Sequence, residues 1–141
     1  MKYLKINILI LMFALPMMSC ENEIVPPATT QEIISNISKT WTCEMIEDGS
    51  FRLNFESIIT NYTSDETKIK ISNFHNSEQV VFAYVSKDLT ITIPEQQVGE
   101  QYFKGSGDIS NDYSSISWNY TIENANGTVV VTGVFTSGGA I

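Results

Sequence analysis

From Trp41 to Thr136 the chain keeps a period of two, and that alternation restricts its fold more than any other feature. Trp41, Cys43 and Met45 alternate with Thr42 and Glu44, and Phe51, Leu53 and Phe55 with Arg52, Asn54 and Glu56. Ile69 and Ile71 alternate with Lys68, Lys70 and Ser72, and Leu89, Ile91 and Ile93 with Thr90 and Thr92. Ile116, Trp118, Tyr120 and Ile122 alternate with Ser117, Asn119 and Thr121 in the cleanest run of all. Such a pattern gives each strand one apolar and one polar face. Val80–Val85 is apolar throughout, which predicts a strand covered on both faces.

Turn signals punctuate these runs: Asp48-Gly49, Ser64-Asp65-Glu66, Asn76-Ser77-Glu78, Lys87-Asp88, Asn111-Asp112 and Asn126-Gly127. Pro94 predicts a strand end or an edge, and Gly105 and Gly107 a bend or bulge in a weaker strand over Tyr102–Ser110. The sum is about eight strands, with connections too short for a crossover helix, so neighbours are antiparallel. The expected fold is all-β, an antiparallel meander that closes as a barrel or folds over as a β-sandwich. Ahead of it, Thr30-Gln31-Glu32 followed by Ile33, Ile34 and Ile37 predicts a short helix covering one end of the core.

After that helix, Lys39-Thr40-Trp41 resembles the opening of lipocalin-like (calycin-like) barrels, whose pattern is Gly-x-Trp; Lys39 stands at the Gly position. The resemblance implies the barrel rather than the sandwich. The stretch from Gly105-Ser106-Gly107 through Ile109 to Ile116, Trp118 and Tyr120 resembles the C-terminal half of small domains in Bacteroidetes-type lipoproteins. These families are mainly binding proteins, so the resemblance carries over no catalytic residue.

The N-terminus points the same way. Lys2 and Lys5 precede an apolar run over Ile6–Leu15, and Pro16-Met17-Met18-Ser19-Cys20 follows. A run of that length is shorter than the about 20 residues a bilayer span takes, and fits the core of a cleaved export signal. Ser19-Cys20 resembles the end of the bacterial lipoprotein signal, with Met17 and Met18 in place of the usual Leu and Ala/Ser. Glu21-Asn22-Glu23 resembles the acidic export tag of Bacteroidetes-type surface lipoproteins. The resemblance implies a signal peptide over 1–19, lipidation of Cys20, a lipid-anchored linker over 20–30, and a domain over 31–141. It also implies an outer-membrane, surface-exposed location.

Charge limits the partners. Removing Lys2 and Lys5 leaves six basic against 16 acidic residues, a net −10. A chain so acidic lacks the cationic footprint of a nucleic-acid binder and is repelled by anionic lipid. Membrane attachment is therefore expected through acyl chains on Cys20 alone. Cys43, on the face of Trp41 and Met45, reads as an inert buried thiol.

The search for chemistry is short. His75 is the one histidine, reads as a turn residue, and has no Cys, Asp or second His at ligand spacing. Gly105-Ser106-Gly107 is half of a nucleophile elbow. Glu44, Glu56 and Glu123 sit at outward positions, and Glu95 and Glu100 in a loop, so no facing carboxylate pair is expected. Glu47-Asp48-Gly49 and Asn111-Asp112 are too sparse for calcium. No catalytic residue, metal site or cofactor is expected. Trp118 and Tyr120 share a face with Ile116 and Ile122 and belong to the core. Tyr113 and Tyr62, beside turns, are the rings expected to be exposed and to bind ligand, since a flat ring with polar neighbours suits a sugar face. The expected function is a non-catalytic binding module for a small apolar ligand, a glycan or a protein partner. The alternative is an accessory subunit of an outer-membrane complex with no ligand of its own.

Overall fold

The computed structural model describes residues 26–138; Cys20 and the expected signal peptide lie outside them. Eight strands form one closed antiparallel barrel: β1 (Thr40–Glu47), β2 (Phe51–Asn61), β3 (Lys68–Ser72), β4 (Val80–Val85), β5 (Thr90–Val98), β6 (Gln101–Ile109), β7 (Ser115–Asn124) and β8 (Gly127–Thr136). Each strand pairs with its sequence neighbours, and β8 returns to β1 through Thr42–Thr136 and Glu47–Val131. The barrel, not the sandwich, is the fold. The alternation fits it: inward positions are apolar and most outward ones polar, so closure buries one face and leaves no free sheet edge along the β1–β8 seam. A barrel that crosses lipid has the opposite arrangement, apolar side outward.

Both ends are stopped. Helix α1 (Thr30–Ile37) buries Ile33, Ile34 and Ile37 over one end. Thr29 and Glu32 form a reciprocal capping box that satisfies the first backbone N–H groups. At the helix C-terminus the Trp41 indole N–H donates to the Ile37 carbonyl at 2.9 Å, pinning the helix to the barrel interior. Lys39, at the position where lipocalin-like barrels carry glycine, lies 4.7 Å from the Trp41 ring and donates to the Tyr113 carbonyl. It thereby ties the helix exit to the β6–β7 turn.

The other end is stopped by a 3₁₀ turn, Phe74–Asn76, between β3 and β4. Phe74 is fully buried and meets Phe103, Trp118, Tyr120 and Phe135, with ring centroids 4.7 to 6.2 Å away. Burying a ring of that size stabilises by about 1.5–3 kcal/mol.

Three expectations are corrected. β5 runs straight through Pro94, because the register shifts between Ile93 and Gln96 and a bulge needs no N–H from proline. The bulge expected near Gly105 has its extra residue on β5, opposite Gly105 and Phe103, while β6 itself pairs without a shift to β7, where Gly105 and Gly107 face Tyr120 and Trp118. A Cβ on Gly107 would lie 2.7 Å from the Trp118 ring, so these glycines make room for large neighbours. Finally, β4 is not covered on both faces. Val81, Ala83 and Val85 are buried, whereas Val80 and Tyr84 are 40% and 41% exposed.

Candidate functional site

The barrel interior is filled. Trp41, Phe74, Phe103, Tyr120 and Phe135 are fully buried, and the ring of Trp118 packs between Phe74 and Phe135. Trp118 Nε1 is buried without a hydrogen-bond partner in the structure, in contrast to the bonded indole of Trp41. Cys43 lies among these residues, and burial pushes its thiol up to about 12. It is a packing residue, as its position in the alternation predicted.

Tyr62 and Tyr113 both lie at the helix-bearing end, but not together. The β2–β3 and β6–β7 turns that carry them are four strands apart around the eight-strand ring. Tyr113, expected as an exposed ring, is half-buried against the core, with a left-handed φ of 58°. Its turn is held by Asp112, which accepts from the Ser110 and Ser114 hydroxyls and from the Ser114 N–H. These bonds hold the Asp112 carboxyl down at about 2.

Tyr62, also expected as an exposed ring, is likewise half-buried. It lines a cleft of about 600 Å³ between α1 and the β2–β3 turn. Gln31 and Ser35 line it from the helix and Ser38 from its C-cap, Asn61 from the end of β2, and Thr63 and Glu66 from the turn. Ile34 forms its apolar floor. Amide, hydroxyl and carboxylate groups around one aromatic ring make a surface able both to hydrogen-bond and to stack.

The Tyr62 ring also turns the corner onto the outer face of β3 and β4. It meets Phe82 edge-on at 5.8 Å. Lys68 Nζ lies 4.6 Å from the Tyr62 centroid, 4.7 Å from Phe82 and 5.9 Å from Tyr84, and Lys70 Nζ lies 5.3 Å from Tyr62. Each exposed cation–π contact is worth about 0.5–1 kcal/mol. In register, Lys68 faces Tyr84 and Lys70 faces Phe82. Sequence reasoning missed this patch because it treated all of Val80–Val85 as covered. The strand period itself was the available signal, since Phe82 and Tyr84 share the outward parity of Lys68 and Lys70.

His75 sits in a turn, as expected, but with partners that the sequence did not show: its ring is part-buried at the stopped end opposite α1. Nδ1 lies 2.6 Å from the Tyr120 hydroxyl and Nε2 lies 2.6 Å from Glu47 Oε1. Burial lowers the histidine's pKa against the opposing pull of Glu47, so the neutral ring is favoured. Burial and the Glu47 charge raise that of Tyr120, which keeps its proton. Tyr120 O–H therefore donates to Nδ1, and Nε2–H donates to the carboxylate. The ring is bonded on both nitrogens, and the arrangement clasps the Phe74 turn into the barrel. Nothing in the sequence links residues 28 and 45 positions apart. Glu44, Glu56 and Glu123 face solvent as expected. The described residues hold no cluster of three or more metal-ligating side chains.

No protein-family model and no curated protein sequence matches the chain. Solved structures do match. A redesigned β-barrel, b11L5F_LGL, is 12% identical with a TM-score of 0.52, over 76% of this chain and 96% of its own. The redesigned barrel mFAP1 bound to DFHBI is 16% identical with a TM-score of 0.54, over 74% and 98%. EF1p2_mFAP2b bound to DFHBI is 10% identical with a TM-score of 0.54, over 77% and 98%. The likeness is one of fold.

Proposed function

We propose that this protein is a lipid-anchored outer-membrane lipoprotein, cut between Ser19 and Cys20 and surface-exposed. Its barrel is a non-catalytic binding module, and recognition takes place at the helix-bearing rim. One observation carries the second half of this reading: the interior is occupied by its own aromatic side chains, while Tyr62 stands in an open cleft ringed by polar groups. That chemistry suits a glycan better than a wholly apolar ligand. The two similar barrels solved with DFHBI bound lend support to a barrel of this size serving as a small-ligand scaffold. The lipid anchor rests on the signal-like segment ending at Ser19-Cys20 and on the acidic residues behind it.

A second reading, an accessory subunit, is favoured by β2. Only Ile58–Asn61 of that strand pair with β3, so its first half has β1 on one side alone, and Phe51 there is 59% exposed. A partner could seat on that stretch.

Two measurements test the proposal. Mass spectrometry of the membrane-extracted protein should find an acylated Cys20 at the mature N-terminus, and Cys20→Ala should move the protein to the soluble fraction. A glycan array with the full chain should give hits that Tyr62→Ala abolishes. An unmodified chain beginning at Met1 in a host with the processing enzymes would end the anchoring half. Binding indifferent to Tyr62→Ala would end the rim half.

A further inference from the structure

The outer face of β3 and β4 combines features that a merely solvated face does not need together. Lys68 and Lys70 are two of only six basic residues beyond Cys20. Both are half-buried, and their ammonium groups are held over ring faces instead of waving in solvent. Neither is in an ion pair; among the described residues the one pair of formal charges is Arg52–Glu44, Glu47 being bonded to the neutral His75. Asp65, the carboxylate that feels the charge of Lys68, is engaged by the N–H and hydroxyl of Thr67 at 2.9 and 2.8 Å. In a strongly acidic chain, two neighbouring cations are thus fixed in place with their N–H donors unclaimed by carboxylates. Ring contact has already restricted their side chains, so a ligand need not immobilise them.

Tyr62 joins this face to the cleft under α1. We propose that the two form one site for an anionic saccharide, a sugar bearing a carboxylate such as a uronic acid. Its acid group would sit on Lys68 and Lys70, and its hydroxyls on Asn61, Ser35 and Glu66 in the cleft. This deepens the binding-module reading and rests on it. A sugar fits better than an acidic peptide. An extended peptide gains affinity from backbone bonds to an open strand edge, and β3 has none to offer, being paired with β2 on one side and β4 on the other. The exposed Tyr84 ring, with its hydroxyl tip, and the half-buried Tyr62 beside it meet sugar C–H and O–H groups equally well.

The test uses the full chain in detergent and three probes: polygalacturonate, a neutral galactan and poly-L-glutamate. Titration calorimetry should show polygalacturonate binding that weakens as salt rises. Lys68→Gln/Lys70→Gln should weaken it by about tenfold or more, while Lys68→Arg/Lys70→Arg keeps it, because two charge-assisted contacts are lost in the first and retained in the second. Unchanged affinity in the double glutamine variant would overturn the inference; loss in Tyr62→Ala at the same time would leave the cleft reading standing. Poly-L-glutamate bound as tightly as polygalacturonate would also overturn it, since charge and not sugar would then be recognised. If polygalacturonate does not bind, the inference falls, and the glycan array decides the cleft reading separately.

Discussion

The two ends of the barrel are stopped by opposite means. At one, α1 lies over the opening as a regular amphipathic helix, with a capping box at its start and the Trp41 indole bonded at its end. At the other, a three-residue turn drives Phe74 into the aromatic core and is locked by His75 between Tyr120 and Glu47. The helix obtains order from its own backbone bonds. The turn has two short-range backbone bonds, Asn76 N–H to the Asn73 carbonyl and Ser77 N–H to the Phe74 carbonyl, and against them Asn73, His75, Asn76 and Glu78 all take positive φ, a region that non-glycine residues seldom adopt. That conformation is held from outside by the clasp, by the burial of Phe74 and by Asn73 donating to the Glu56 carbonyl, and from within by Asn73 accepting from the Glu78 N–H. A local element closes the rim where the cleft opens, and a tertiary one closes the rim where the core is densest.

Phe74→Ala should have the largest effect, a loss of about 3–5 kcal/mol in denaturant unfolding. A near-neutral midpoint would mean that the turn is a cover and not part of the core. His75→Ala comes next, at about 1–3 kcal/mol, because it strands the buried Tyr120 hydroxyl. It should also change the pH response. The folded-state pKa of His75 lies below its ordinary value of 6.5. The unfolded chain therefore takes up the proton first, and stability that is complete above about pH 6.5 is lost as pH falls toward the folded pKa. Wild type should lose stability in that window and His75→Ala should not; parallel profiles would refute the clasp. The aspartates of the turns act below this window, since Asp65, Asp88 and Asp112 are held under their ordinary 3.8. Thr29→Ala at the opposite end should cost about 1 kcal/mol with no pH dependence near neutrality. A larger penalty would show that α1 is bound to the barrel as tightly as the Phe74 turn.

The contrast between the ends also marks what residues disclose in one dimension. Helix α1 was legible because its cap, its apolar spacing and its length are local. The strands were legible from parity, and parity correctly placed Trp118, Tyr120 and Cys43 inside. Barrel over sandwich came from the residues around Trp41 by resemblance. The Phe74 turn was not legible, because Asn73-Phe74-His75-Asn76 has turn composition and its partners lie far along the chain. The outer face of β4 was misjudged for another reason. Hydrophobicity says that a side chain gains from cover, but not whether a sheet or a pair of lysine stems provides it. Both rings chosen as ligand contacts are half-buried; Tyr62 lines the cleft, and Tyr113 packs against the core on the far side of the same rim.

The sealed interior makes Cys43 a clock. Its thiol is fully enclosed and is held in the unreactive protonated form until well above neutral pH. An alkylating reagent must therefore wait for the wall around β1 to open, and the labelling rate counts those openings. Followed in Phe74→Ala and Thr29→Ala side by side, the same thiol would report which end of the barrel lets go first.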